Sequence, residues 1–272
     1  MQSASSSAVS SAFYDGFYST VDQLNTVRRI ATLLETDDGE PLTVPTTDDS
    51  EAAVQIAENA YMSTEEIAVD NFTLGAYKYA SKIVRVSNQL VTDATPSFLR
   101  HLGKVLGHRI ARISNLHFTT GDGSGKPQGI VTGSTPGHTA ASATVITYDD
   151  LVELQHSVDA ALWPKSGFMM SADTFKVVRK IDDGYGNLAV QNGRLFGMPI
   201  YMNPAMPTIE AESKPILCGD FGQYLVREAG SLSVRRYGER FAEFHQTGVA
   251  AILRTDAKLA VPSAVRHLLM VD

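Results

Sequence analysis

The sequence predicts an α+β fold, and three features carry that reading. One long amphipathic helix occupies the middle of the chain. Short β-type runs separated by turn residues, mixed with short helices, fill the last third. Between them and the N-terminus lies an acidic stretch too poor in apolar periodicity to build a core alone.

Taken in order, residues 1 to about 12 (MQSASSSAVSSA) are small and polar and read as a loosely held arm. No basic residue precedes an apolar stretch there, so a secretory signal is not expected. A weakly amphipathic stretch follows, with a short helix expected near residues 18–27 and a strand running into Leu34. From Ile30 to Tyr77 there is no lysine or arginine, while eleven acids are present: Glu35, Asp37, Asp38, Glu40, Asp48, Asp49, Glu51, Glu58, Glu65, Glu66 and Asp70. The net charge is -7, yet the remainder of the chain is positive by four, so the acidity is local. With β-favouring patches in PLTVP and NFTLGAYKYA, the stretch reads as a long hairpin leaving the body, returning through SKIVRVSNQLV. Such an arm calls for a basic surface on another subunit, whereas an ordinary solvated loop would need none.

The long helix opens with Thr95 as cap and Pro96 at its first position. Phe98, Leu99, Leu102, Val105, Leu106, Ile110, Ile113 and Leu116 form its apolar stripe, which predicts about 22 residues or ~33 Å. Arg100, Lys104, His108, Arg109 and Arg112 decorate its other side. A glycine-rich turn, TTGDGSGKPQG, ends it, and a Gly/Ser/Thr-rich stretch follows (GIVTGSTPGHTAASAT). Thr147 and Asp150 begin a helix in a capping-box manner over TYDDLVELQHSVDAAL. The strand GFMMS leads to a helix capped by Ser171. Four β-type runs come next, LFGMPIYMN, KPILCGD, QYLVREAG and LSVRRYG, and then an apolar, strand-like tail.

No chemistry-bearing motif emerges, and no catalytic, cofactor-binding or metal-binding residue is assigned. A phosphate-binding loop needs four residues between its glycines, but Gly121 is followed by three and then Gly125-Lys126, with Pro127 in the place of the hydroxyl. The seven histidines, His101, His108, His117, His138, His156, His245 and His267, form no metal-binding pair of the usual helical spacing; His101 and His108 could share a face but lack a third ligand. There is no nucleophile elbow. The single Cys218 excludes an intrachain disulfide and reads as a buried small hydrophobe. No apolar run approaches the roughly 20 residues of a membrane helix, and a negative net charge without a nucleic-acid motif argues against sequence-specific DNA binding.

In their order, the acidic arm, long helix, glycine turn and late α+β region resemble the major capsid proteins of tailed bacteriophages, the Hong Kong 97 type capsid family. The segment from LTVPTTDDSEAAV to SNQLVTDA is similar to the family's extended loop and return, including Pro45-Thr46 and Ala57-Glu58. TTGDGSGKPQGIV, GRLFGMPIYMNPAMP and ILCGDFGQYLVREAGSLSVRRYGERF are similar to later passages. The resemblance spans about residues 20–270. It implies an N-terminal arm (1–35), an extended β-hairpin loop (36–79), a peripheral domain with a long spine helix (80–130), an axial domain (131–231), peripheral return strands (232–261) and an axial C-terminal segment (262–272). It further implies a structural protein, not an enzyme, that binds itself as pentamers and hexamers in an icosahedral shell of a virion, around double-stranded DNA held without sequence specificity. Portal protein, scaffold, maturation protease and cement proteins are the other implied partners; no cofactor and no membrane are. The same fold serves encapsulin-type compartments, and a soluble α+β enzyme is the remaining alternative. Relatives often begin with a scaffolding segment that a protease removes, and nothing long enough precedes residue 12, so it is expected to have been removed or never encoded. Some relatives join subunits through a loop lysine and a neighbour's asparagine. Here the loop from Glu35 to Tyr77 has no lysine; Lys78 and Lys82 stand at its return, and Asn192 and Asn203 are the later asparagines. A non-covalent shell is therefore expected. Arg100, Lys104, Arg109 and Arg112, or Arg235, Arg236 and Arg240, are the candidate counter-surfaces for the acidic loop.

Overall fold

A computed structural model describes residues 11–47, 69–93 and 95–272. The first helix, Ser11–Leu24, starts earlier than residue 18. Phe13, Phe17 and Val21 recur every fourth residue and give it one buried face, with Ala12, Gly16 and Thr20 beside them. This arm helix lies along the spine helix Pro96–Thr120, whose 25 residues span about 37 Å. Thr95 caps the spine by accepting the Phe98 N–H at 3.4 Å, and Pro96 takes the first turn, as expected.

The buried stripe of the spine differs from the expected one at its C-terminal half. Leu102, Leu106 and Ile110 are buried, but Ile113 is 38% and Leu116 45% exposed. Gly103, Gly107, Ala111, Ser114 and Asn115 are buried instead. Small side chains let the arm helix approach closely: a Cβ on Gly103 would collide with the Phe13 carbonyl, and one on Gly107 would stand 2.8 Å from that of Phe17. The contact face is therefore chosen by lack of bulk, a signal that a count of apolar residues overlooks.

Asn25 breaks the arm helix and caps a short one, Thr26–Ile30, by accepting the Arg28 N–H at 2.9 Å. Strand Thr32–Thr36 then runs parallel to Tyr224–Ala229. These two join a six-stranded sheet organised on the 14-residue strand Gln246–Leu259, which pairs antiparallel with Tyr224–Ala229, Ser233–Tyr237, Tyr77–Ala80 and Val84–Ser87. Phe13, Phe17, Leu106, Ile110, Tyr79, Val249, Ala251 and Leu253 form one core between this sheet and the two long helices.

The second sheet has seven strands in the order Thr135–Thr139, Val265–Leu269, Ile216–Gly219, Gly167–Met170, Met198–Met202, Arg194–Leu195, Val190–Gln191. The Gly/Ser/Thr-rich stretch thus supplies an edge strand, Thr135–Thr139, parallel to the C-terminal strand. Helices Tyr148–His156 and Ala172–Val178 cover this sheet, and Leu151, Leu154 and Val178 meet Phe168, Met170 and Cys218 in its core. The Thr147–Asp150 capping box forms with both of its bonds. That helix stops at His156 and not at Leu162; Asp159 starts a 3-10 turn, Ala160–Lys165, by accepting the Ala161 N–H at 2.9 Å. A third cluster, including Val27, Phe118, Met169, Leu217, Tyr224 and Val226, packs the two sheets together.

Candidate assembly interface

The acidic stretch leaves the body as an antiparallel pair, Leu42–Thr47 with Val69–Leu74, from Leu42 opposite Leu74 to Thr47 opposite Val69. It forms a two-stranded sheet separate from the other two. The expected hairpin is therefore present. Its further reaches, with Ala57-Glu58, Glu65 and Glu66, lie outside the described residues, as does the chain before residue 11.

The root of this hairpin is held by a buried arginine that motif reading passed over. Arg227 is 1% exposed and sits in the strand Tyr224–Ala229. Its Nε donates to Thr36 Oγ1 at 3.0 Å, its Nη1 to the carbonyls of Leu74 (2.9 Å) and Gly75 (3.2 Å), and its Nη2 to that of Asp38 (3.2 Å). The Asp38 carboxylate lies 3.6 Å away. One guanidinium thus ties the outgoing and returning chains together, and its planar fork of donors makes that possible. A buried cation is tolerable only when so satisfied. Across the sheet, Asp256 faces Arg227 in register and accepts the Gly75 N–H at 2.5 Å. Burial pushes the Asp256 carboxyl above its usual range, against the opposing pull of the Gly75 and Ala257 N–H groups and of Arg227. A charged pair, Arg227-Glu228, between the apolar YLV and Ala229 of one strand is the one sequence signal for this lock.

Not all loop acids await another subunit. Asp38 meets Arg227 of its own chain, and Glu228 is paired with Arg28 at 2.7 Å. Glu35 and Asp37 line an open cleft of about 540 Å³ with Tyr18 and Glu228. Of the candidate counter-surfaces, Arg100, Lys104, Arg109 and Arg112 lie exposed on the spine, and Arg235, Arg236 and Arg240 lie exposed on and after the strand Ser233–Tyr237. Arg240 stacks over Phe241 at 5.6 Å.

The remaining sequence candidates fall into structural roles. The glycine turn closes on itself: Gly129 N–H donates to the Gly121 carbonyl at 2.8 Å, Lys126 pairs with Asp122 at 3.1 Å, and Gly123 and Gly125 take positive φ. His117 meets the Tyr79 hydroxyl, His138 meets Asp150, His156 stacks edge-on against Trp163, and His267 meets Ser134. His101 is exposed and His108 half-buried on the spine, while His245 follows a 3-10 turn in the left-handed region. Among the described residues no three metal-ligating side chains converge. Cys218 is fully buried, and burial pushes its thiol up to about 12, far from a reactive thiolate. Asn203 is buried, receiving a hydrogen bond from Asn115 and donating one to Thr119, both at 2.8 Å. Asn192 is exposed. Among the described residues no helix is long and apolar enough to cross a membrane.

A hairpin that forms its own two-stranded sheet, tied at its root to a body of two larger sheets and a spine, is the layout of a subunit that engages other subunits. The profile of the phage capsid family matches residues 6–269, and the chain belongs to that family. It is a self-assembling structural protein of a capsid, not an enzyme. Solved structures with the same fold include the capsid of a native GTA particle, with a TM-score of 0.76 at 22% identity over 100% of this chain and 96% of that one. Mycobacterium phage Bobi gives 0.70 at 16% identity over 100% and 96%, and Mycobacterium phage Adephagia 0.69 at 18% over 92% and 91%. The Hong Kong 97 type architecture is thereby established for this chain. A search of curated proteins found no match.

Proposed function

We propose that the chain is the major capsid subunit of a tailed-phage-type particle, closing an icosahedral shell from pentamers and hexamers around double-stranded DNA. The observation that carries this is the hairpin: two six-residue strands that among the described residues pair only with each other, rooted on Arg227, in a stretch of sequence lysine-free from Glu35 to Tyr77. A protein gains little by projecting such an element into water, whereas a neighbouring subunit would cover it. The domain division follows the two sheets. A peripheral unit comprises the spine helix and six-stranded sheet, and an axial unit the seven-stranded sheet. The pairing of Tyr224–Ala229 with Gln246–Leu259 supports drawing the boundary before 224 instead of near 231. Portal, scaffold, maturation protease and cement proteins are the partners such a shell would use.

The shell is held without covalent links between subunits. The loop offers no amine between Glu35 and Tyr77, and Asn203 is buried within its own subunit. Electron microscopy of the purified, concentrated chain is the test: closed particles support the reading, and a persistent monomer in sedimentation defeats it. Particles boiled with reductant should give one gel band near 29.4 kDa. A ladder of multimers would mean that subunits are cross-linked.

A further inference from the structure

The arm helix and the spine run parallel and keep one register along their contact. A Cβ on Gly103 would collide with the Phe13 carbonyl, and one on Gly107 would crowd that of Phe17. Further on, Asn25 Nδ2 donates to Ser114 Oγ at 3.0 Å. Each four-residue step along the arm is thus matched by four residues along the spine. At the other end, where both helices begin, a groove of about 30 Å³ opens, lined among others by Phe13, Phe98, Leu99, Leu102, Val234 and Val249. Phe13, Leu102 and Val249 are buried there, but Phe98, Leu99 and Val234 are only half-buried. A space of that size takes about two water-sized groups, and apolar walls offer water no hydrogen-bond partner. Among the described residues none fills it.

We propose that this groove is the seat of the residues just ahead of Ser11 in the same chain, with the Val9 side chain as its anchor. Two observations select that occupant. The first is register. Val9 stands four residues before Phe13, in the series Val9, Phe13, Phe17, Val21, whose last three members form the buried face of the arm helix. Four residues back from Gly103 stands Leu99, a wall of the groove. One further turn of helix, a rise of about 5.4 Å, carries Val9 onto Phe98 and Leu99. The second is composition. Residues 1–10, MQSASSSAVS, hold one β-branched apolar side chain, Val9, and its compact isopropyl group suits a space of this size. Ala8 favours a helical turn, and Ser7 is a fitting cap for one that begins there. The chain already enters the groove at Phe13, so its own preceding residues reach it without a loop. Seated in this way, Val9 fastens the start of the arm to the spine and to the strand Ser233–Tyr237, and the subunit's own core begins at Val9.

The test uses the full chain as a monomer. Val9→Ala should raise the unfolding equilibrium constant about tenfold, because it removes apolar area from the groove. Val9→Asp should raise it further, because burial disfavours the added charge. Ala4→Asp, outside the proposed turn, should leave it unchanged. A second measurement reads contact directly. With Val9→Cys and Leu99→Cys in one chain, mild oxidation should close a disulfide within that chain at a rate independent of protein concentration, with Cys218 shielded by burial. A mixture of isotope-labelled and unlabelled chains should then yield linked peptides of one label only. Unchanged stability of both Val9 variants, or the absence of a link, overturns the assignment. A mixed-label link means that a second copy fills the groove, which also overturns it. Equal losses in Val9→Asp and Ala4→Asp would reveal a general effect of charge in the arm, with the same consequence. None of these outcomes depends on shell formation, so their failure leaves the capsid reading standing.

Discussion

The hairpin and the seven-stranded sheet are held in opposite ways. In the sheet, Gly167–Met170 and Ile216–Gly219 are buried at every position, covered by helices on an apolar core. In the hairpin, among residues 42–46 and 71–74 only Leu74 at the root is buried. What fixes it is one guanidinium bonding to three backbone carbonyls and a hydroxyl. The sheet is stabilised by area removed from water, which accumulates over many side chains. The hairpin depends on a few directional bonds at its base, so its position can be specified without a core beneath it. A subunit that must fold alone and then adapt to neighbours gains from that division.

The largest expected effect tests the apolar side of this contrast. Phe168→Ala empties a fully buried site in the seven-stranded core and should cost about 3–5 kcal/mol of stability. The urea midpoint of the monomer should fall accordingly; an unchanged midpoint would remove the packing account of that sheet. Arg227→Ala should come next, at about 3 kcal/mol, because it leaves the carbonyls of Leu74, Gly75 and Asp38 without their donor. Its signature differs: proteolysis should accelerate selectively between residues 36 and 77, and assembly should fail even where the chain stays folded. Uniform acceleration across the chain would show that Arg227 supports the body and not the loop.

The smallest of the three is a pH effect confined to the sheet. Burial, aided by nearby Lys214 and Arg266 and opposed by the Ser134 bond, lowers His267 from 6.5 to about 4. The folded state therefore binds fewer protons than the unfolded one between those values, so its stability is complete above pH 6.5 and declines as pH falls toward 4. At pH 5 the loss should be on the order of 1 kcal/mol, the full shift being reduced by solvent screening. His267→Gln should flatten that slope in unfolding curves measured from pH 7 to 5. An unchanged slope would assign the dependence elsewhere.

Much of this architecture is local and so was legible in the residues. Thr95-Pro96 marked the start of the spine, Thr147 with Asp150 a capping box, and PLTVP with NFTLG the two arms of the hairpin, because caps and strand alternation depend on neighbours in sequence. The ordered set of passages was also enough to point to the capsid family. Other features were decided only in three dimensions. The spine turned its glycines and Asn115, not Ile113 and Leu116, toward the body, since the face a helix buries is set by how closely its partner can approach. Arg227 became the anchor of the loop although Thr36, Asp38, Leu74 and Gly75 lie more than 150 residues from it in sequence. Composition revealed an isolated acidic excursion, but not that Lys82 packs beside Arg109 and Arg112, since proximity across a fold has no signature in a linear chain.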